Sequence, residues 1–105
     1  MLDGTIIRGT TPEHEFELPY PIELVSDFRV VYGQGNETIF VKTKSDCTLS
    51  EGKIFLSLTQ EETFSVSPAK LVWVEIRIKL VNGKVVKTEK PIVLRVIDTK
   101  DAEVM

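Results

Sequence analysis

The sequence predicts an antiparallel β-sandwich of about seven short strands, and three observations predict it. From Val72 to Leu80 every even position is aliphatic: Val72, Val74, Ile76, Ile78 and Leu80. Glu75, Arg77 and Lys79 lie between them, so one face meets a core and the other meets water. Turn clusters rich in Gly, Pro, Asn and Ser punctuate the rest of the chain at short intervals. Only one stretch, Thr59-Gln60-Glu61-Glu62, carries a helix-start signature, a threonine cap with a glutamate three residues on. Ordering about 100 residues costs on the order of 100–200 kcal/mol of chain entropy. Each buried aliphatic returns only about 1.5–3 kcal/mol. The alternating faces must therefore close on one another across two sheets.

Taken in order, Met1 to Thr11 is a short lead-in that ends in the turn-like Arg8-Gly9-Thr10-Thr11-Pro12. Glu13 to Leu18 alternates His14, Phe16 and Leu18 against Glu13, Glu15 and Glu17 and reads as a first strand. Pro19-Tyr20-Pro21 stops it. The apolar residues of Ile22 to Asp27 are expected to plug one end of the core. Phe28 to Tyr32 reads as a second strand, Gly33-Gln34-Gly35-Asn36 as a turn, and Thr38 to Thr43 as a third strand hairpinned to the second. Lys44 to Leu49 is polar, and Ser50-Glu51-Gly52 turns the chain. Lys53 to Leu58 alternates again, with Ile54, Leu56 and Leu58 inward and Phe55 outward. A helical turn near Thr59–Glu62 follows, with Phe64 and Val66 tucking it against the sandwich, and Ser67-Pro68 ends it. Asp98 to Met105 reads as a polar, frayed tail.

The long hairpin can be read in register. A two-residue Asn82-Gly83 turn would set the even aliphatics opposite Val85, Lys87 and Glu89. A three-residue loop, Val81-Asn82-Gly83 with Gly83 left-handed, sets Ile78 opposite Val86, Ile76 opposite Thr88 and Val72 opposite Ile92. Register follows the buried face, so the three-residue loop is preferred. Lys90-Pro91 is expected to be irregular, because proline donates no ladder bond.

The chain has 105 residues, a net charge of −3 with acids and bases interspersed, one cysteine and one histidine. That length fits one domain. The lack of a basic stripe argues against a nucleic-acid partner. No apolar run approaches the roughly 18–20 residues of a membrane span. The first residues lack the cationic start and apolar stretch of a signal peptide. Cys47 has no internal disulfide partner, which fits a reducing compartment.

No constellation carries chemistry. His14 lies between glutamates on a strand and Cys47 in a polar loop, so His14 reads as a half-buried histidine rather than half of a nucleophilic pair. Glu13, Glu15 and Glu17 share a solvated face without metal-ligand spacing. Glu62 is accounted for by capping, and Gly33-x-Gly35 by a hairpin turn. No catalytic residue, metal or cofactor is expected. Trp73 stands on the outward face of the central strand. If that face adjoins the one bearing Phe55, Trp73 and Phe55 form an apolar interface patch; otherwise Phe64, Val66 or a loop covers the indole. Strand edges offer a second route to partners.

Four strings stand out together: Arg8-Gly9-Thr10-Thr11-Pro12, Asp46-Cys47-Thr48, Leu58-Thr59-Gln60-Glu61-Glu62-Thr63 and Val74-Glu75-Ile76-Arg77-Ile78. In this order and spacing they resemble small proteins encoded among the tail genes of phages and prophages of Firmicutes. Their layout is similar to the N-terminal domain of phage baseplate upper proteins, over roughly Ile7 to Asp98. The resemblance implies an immunoglobulin-like sandwich and a non-enzymatic role in the virion tail or baseplate. It also implies residence in the virion, or in the bacterial cytoplasm during assembly. It transfers no active-site residues. Stopping after one domain departs from the larger baseplate proteins and weighs against direct host-receptor binding. The expected partners are other tail or baseplate proteins and further copies of the chain as a homo-oligomer. The competing expectations are a carbohydrate- or ligand-binding sandwich that stacks ligands on Trp73, Tyr20 or Tyr32, and a small hydrolase built on His14 and Cys47.

Overall fold

Residues 4–105 are described by a computed structural model; the first three residues of the expected lead-in lie outside it. The described residues form nine strands and one short α-helix: β1 (Gly4–Ile7), β2 (Glu13–Glu17), β3 (Val25–Gln34), β4 (Glu37–Thr43), β5 (Cys47–Ser50), β6 (Lys53–Ser57), α1 (Gln60–Phe64), β7 (Val72–Leu80), β8 (Val85–Lys87) and β9 (Ile92–Ile97). Two sheets face each other in an immunoglobulin-like sandwich. The larger has the order β1-β9-β7-β3-β4, with β8 also on β7; the smaller has the order β2-β6-β5. All pairs are antiparallel except β1 with β9.

Val72, Val74, Ile76 and Ile78 of β7 are buried, as their period of two requires, and meet Phe28, Val30 and Tyr32 of β3 and Leu94 and Val96 of β9 in one core, with Leu80 half-buried at its margin. Phe16, Leu18, Ile54, Leu56 and Leu58 close that core from the smaller sheet. Inward-facing aliphatics of this size contribute about 1.5–3 kcal/mol each when fully buried, which is why the β7 pattern dominates the fold.

The hairpin loop is the three-residue one. Leu80 N–H donates to the Lys84 carbonyl at 2.8 Å, Gly83 sits at φ 89°, and Ile78 faces Val86. Beyond it the register differs from expectation. Val72 pairs with Leu94, and Ile92 pairs with Val74. Between Ile78 and Val74, four residues of β7 are matched by six of the returning strand, the extra two falling around Lys90-Pro91. The irregular segment stands where proline put it, and the even-numbered step keeps the aliphatics on the inner face.

The other departures have local causes. β1 lies in the turn-rich lead-in; its partner β9 is some 90 positions away, and only long-range parallel pairing makes it a strand. β5 lies within the stretch read as polar. A 3₁₀ turn over Lys44–Asp46, closed by a reciprocal Thr43–Asp46 capping box, swings the chain from β4 into the smaller sheet. β5 then returns to β6 through Glu51 and Gly52, both with positive φ, as a two-residue hairpin needs. β3 is longer than expected and takes in Gly33 and Gln34, so the turn proper is Gly35-Asn36. Ile22 and Leu24 do not plug the core. They form a 3₁₀ turn with both side chains exposed, and Val25 packs inward instead.

The capping box of α1 forms as read: Thr59 accepts from Glu62 N–H at 3.1 Å, and the Glu62 carboxylate accepts from Thr59 N–H at 2.9 Å. Val66 is fully buried. Residues 99–105 form no helix or strand. No helix among the described residues is long and apolar enough to cross a membrane.

Candidate functional site

His14 and Cys47 flank Leu56 on the inner face of the smaller sheet, one from β2 and one from β5. Two strand spacings, roughly 10 Å, therefore separate their backbones. His14 Nδ1 hydrogen-bonds the Tyr32 hydroxyl at 2.6 Å, and the two rings stack with centroids 5.7 Å apart. Phe40 stacks on the same phenol at 4.6 Å. Burial pushes the Tyr32 phenol far above its ordinary range, and the nearby Cys47 and Glu62 push the same way. Burial lowers the His14 pKa. Burial and the Asp46 charge raise that of Cys47, which keeps the thiol protonated at neutral pH. The imidazole thus anchors a core tyrosine, and the arrangement does nothing to activate the thiol.

Glu62 does more than cap. Its Oε1 also lies 2.6 Å from Nζ of Lys42, an inward-pointing and almost buried lysine of edge strand β4. One carboxylate thereby ties α1 to the larger sheet. An inward charge is also a device that keeps an edge strand from pairing with another chain.

At the start of β7 the polar groups are densely paired. The buried Thr63 hydroxyl accepts from Gly9 N–H at 3.0 Å and lies 2.9 Å from the Thr10 carbonyl. Gln60 Nε2 donates to the Gly9 carbonyl at 3.0 Å. Arg8 donates to Asp98 at 2.8 Å and to the Phe64 carbonyl at 3.0 Å, with its guanidinium over the Phe64 ring. That bond to Arg8 holds the Asp98 carboxyl below the usual range. Gly9 has φ 80°, and a Cβ there would lie 2.7 Å from the Phe64 ring, so both backbone and space require glycine. Gln34 clamps the next loop by donating to the Ser67 carbonyl and accepting from Ser67 N–H, each at 2.8 Å.

Trp73 belongs to the same end. Its indole lies over Gly33 and donates to the Gly35 carbonyl at 2.8 Å. The expected Trp73–Phe55 patch does not exist as one surface. Trp73 is on the outer face of the larger sheet and Phe55 on that of the smaller, because each occupies an outward position of a different layer. Neither Phe64 nor Val66 is what the indole rests on; it packs on a glycine of its own sheet. Tyr32 is fully buried, and Tyr20 packs against the core, so the three aromatics do not line one groove.

Exposed aliphatics stand at both ends of β7: Leu71, just before the strand, is 51% exposed. At the end of β7, Val81 N–H donates to the Leu24 carbonyl at 2.9 Å and holds the Ile22–Leu24 turn against the hairpin tip. Ile22, Leu24 and Val81 are 47%, 45% and 61% exposed. An aliphatic at a loop tip was the one available sequence signal for this patch. A second feature lies along β2, where a groove of about 350 Å³ separates it from β1 and β9. Gly4, Thr5, His14, Phe16, Ile92 and Leu94 are among its lining residues.

Compared with known proteins, the chain matches no family model and no curated sequence.

Proposed function

We propose that this chain is a non-enzymatic structural protein of a phage or prophage tail or baseplate that acts through protein–protein contacts. The observation that carries the contact role is the exposed aliphatic end, Ile22, Leu24 and Val81. Three exposed aliphatics on two segments joined by a backbone hydrogen bond are a surface that association would cover. The tail assignment rests on the four strings quoted above. Two of them, Arg8–Pro12 and Leu58–Thr63, meet at the Gly9–Thr63 contact, so their spacing serves one folded corner. In this reading the apolar end joins copies of the chain or docks the chain on a larger tail protein.

Deleting the gene from an inducible phage or prophage that carries it is the test. Electron microscopy of the released particles should show missing or malformed tail tips, with infectivity lost. Normal particles with full infectivity would sink the proposal.

A further inference from the structure

The five outer strands of the two sheets are not equally protected, and β8, which pairs with β7 alone, is only three residues long. β4 carries the inward Lys42 and a register step beside Ile39, and β1 and β5 are only four residues long. β2 is five residues long and regular throughout.

The direction of the free backbone groups of β2 follows from its pairing. Leu18 N–H donates to the Gly52 carbonyl at 2.9 Å, and Leu58 N–H donates to the Pro12 carbonyl at 3.0 Å. Both are even positions of β2 and its extensions. By antiparallel alternation, His14 and Phe16 also bond β6, and the N–H and C=O groups of Glu13, Glu15 and Glu17 point to the open side. Among the described residues no strand pairs with them.

Side-chain chemistry along this edge selects the occupant. Glu13, Glu15 and Glu17 stand exposed on the outer face. Lys53 engages Glu15 at 3.0 Å, while Glu13 and Glu17 form no ion pair among the described residues. On the inner side the edge faces the groove, with Phe16, Ile92 and Leu94 in its walls. A second copy pairing β2 with β2 would set glutamates opposite glutamates, which disfavours that dimer.

We infer that the free edge of β2 accepts an extended strand from a different protein, one that alternates lysine or arginine with aliphatic residues. The basic side chains lie beside Glu13, Glu15 and Glu17, and the aliphatic ones enter the groove. Main-chain bonds supply affinity and the alternation supplies specificity. The inference adds a second contact surface to the role proposed above and rests on that role, but the peptide experiment interrogates the edge alone.

The experiment is a titration of the labelled protein with a nine-residue peptide alternating lysine and valine, followed by amide NMR and hydrogen exchange. One control peptide alternates glutamate and valine, and another scrambles the lysine–valine order. The expected result is slowed exchange at the amides of Glu13, Glu15 and Glu17 with the alternating basic peptide only. Glu15→Pro removes an edge N–H and no β6 bond, so it should abolish binding while the protein still melts cooperatively. The pair Glu13→Lys and Glu17→Lys should weaken binding about tenfold through lost and reversed cross-strand pairs. Absence of binding at millimolar peptide, equal binding of either control, or protection confined to another surface overturns the inference. Defective tail tips on gene deletion without peptide binding would retain the structural role and remove only this edge.

Discussion

The two ends of the sandwich are built on opposite principles. Where β7 starts, the side chains of Arg8, Gln34, Gln60, Thr63 and Trp73 all hydrogen-bond backbone groups of neighbouring segments, and two glycines let an aromatic ring sit flush on the backbone. Where β7 ends, a 3₁₀ turn and a hairpin tip are joined by the Val81–Leu24 backbone bond and expose aliphatics. The first end is over-determined and should tolerate little change. The second is under-determined for the fold, which leaves its side chains free for contacts. A residue's importance here depends on whether neighbouring backbone needs it, more than on its chemical type.

The sharpest way to break the comparison is Gly33→Ala. A methyl at Gly33 would strike the Trp73 indole and lie 2.5 Å from the Glu37 carbonyl oxygen. Moving backbone is costly, so a loss of about 3 kcal/mol is expected in urea unfolding. A loss under about 1 kcal/mol would mean the closed end yields easily. Thr63→Val keeps the shape but strands the Gly9 N–H and Thr10 carbonyl. It should cost about 2 kcal/mol, the penalty for buried groups left unpaired, and free exchange of the Gly9 amide would be its signature.

Between the ends lies the His14–Tyr32 contact, and its effect is read against pH. Burial lowers the folded pKa of His14 below its ordinary 6.5, so the unfolded chain binds a proton that the folded chain resists. Stability should therefore fall as pH drops through 6.5 and level off below the folded value. Asp98 and Asp46, both with lowered pKa, add their losses only in more acidic solution. His14→Gln should remove the slope just below pH 6.5; an unchanged slope would contradict the assignment. The smallest effect on folding belongs to the open end. Ile22→Ser, Leu24→Ser and Val81→Ser should each shift stability by no more than about 0.5 kcal/mol. Together they should abolish any self-association seen by light scattering in the parent protein. Retained association would place the contact elsewhere, and a large stability loss would erase the distinction between the ends.

The sequence marked some of these features clearly. Strict alternation located β6 and β7, because a period of two carries its own face assignment. The Thr59–Glu62 signature located α1, because capping is satisfied within four residues. The three-residue loop of Val81 to Gly83 followed from matching apolar faces. The candidate contact surfaces were less legible. Trp73 and Phe55 both read as outward, correctly, but alternation says which face a residue takes and not which sheet. Ile22 and Leu24 read as core from their apolarity, though their turn leaves them outside.

What the sequence determined by itself is the local and periodic part: which residues face inward, where β7 folds back, and where α1 begins. Those features rest on contacts within a few positions or within one hairpin. Tertiary structure alone decided that Gly4–Ile7 and Cys47–Ser50 are strands, that the two returning residues around Pro91 are absorbed, and that His14 meets Tyr32 instead of Cys47. Each of those outcomes depends on a partner distant in sequence. Backbone groups unsatisfied locally take whatever edge the assembled sheets bring to them.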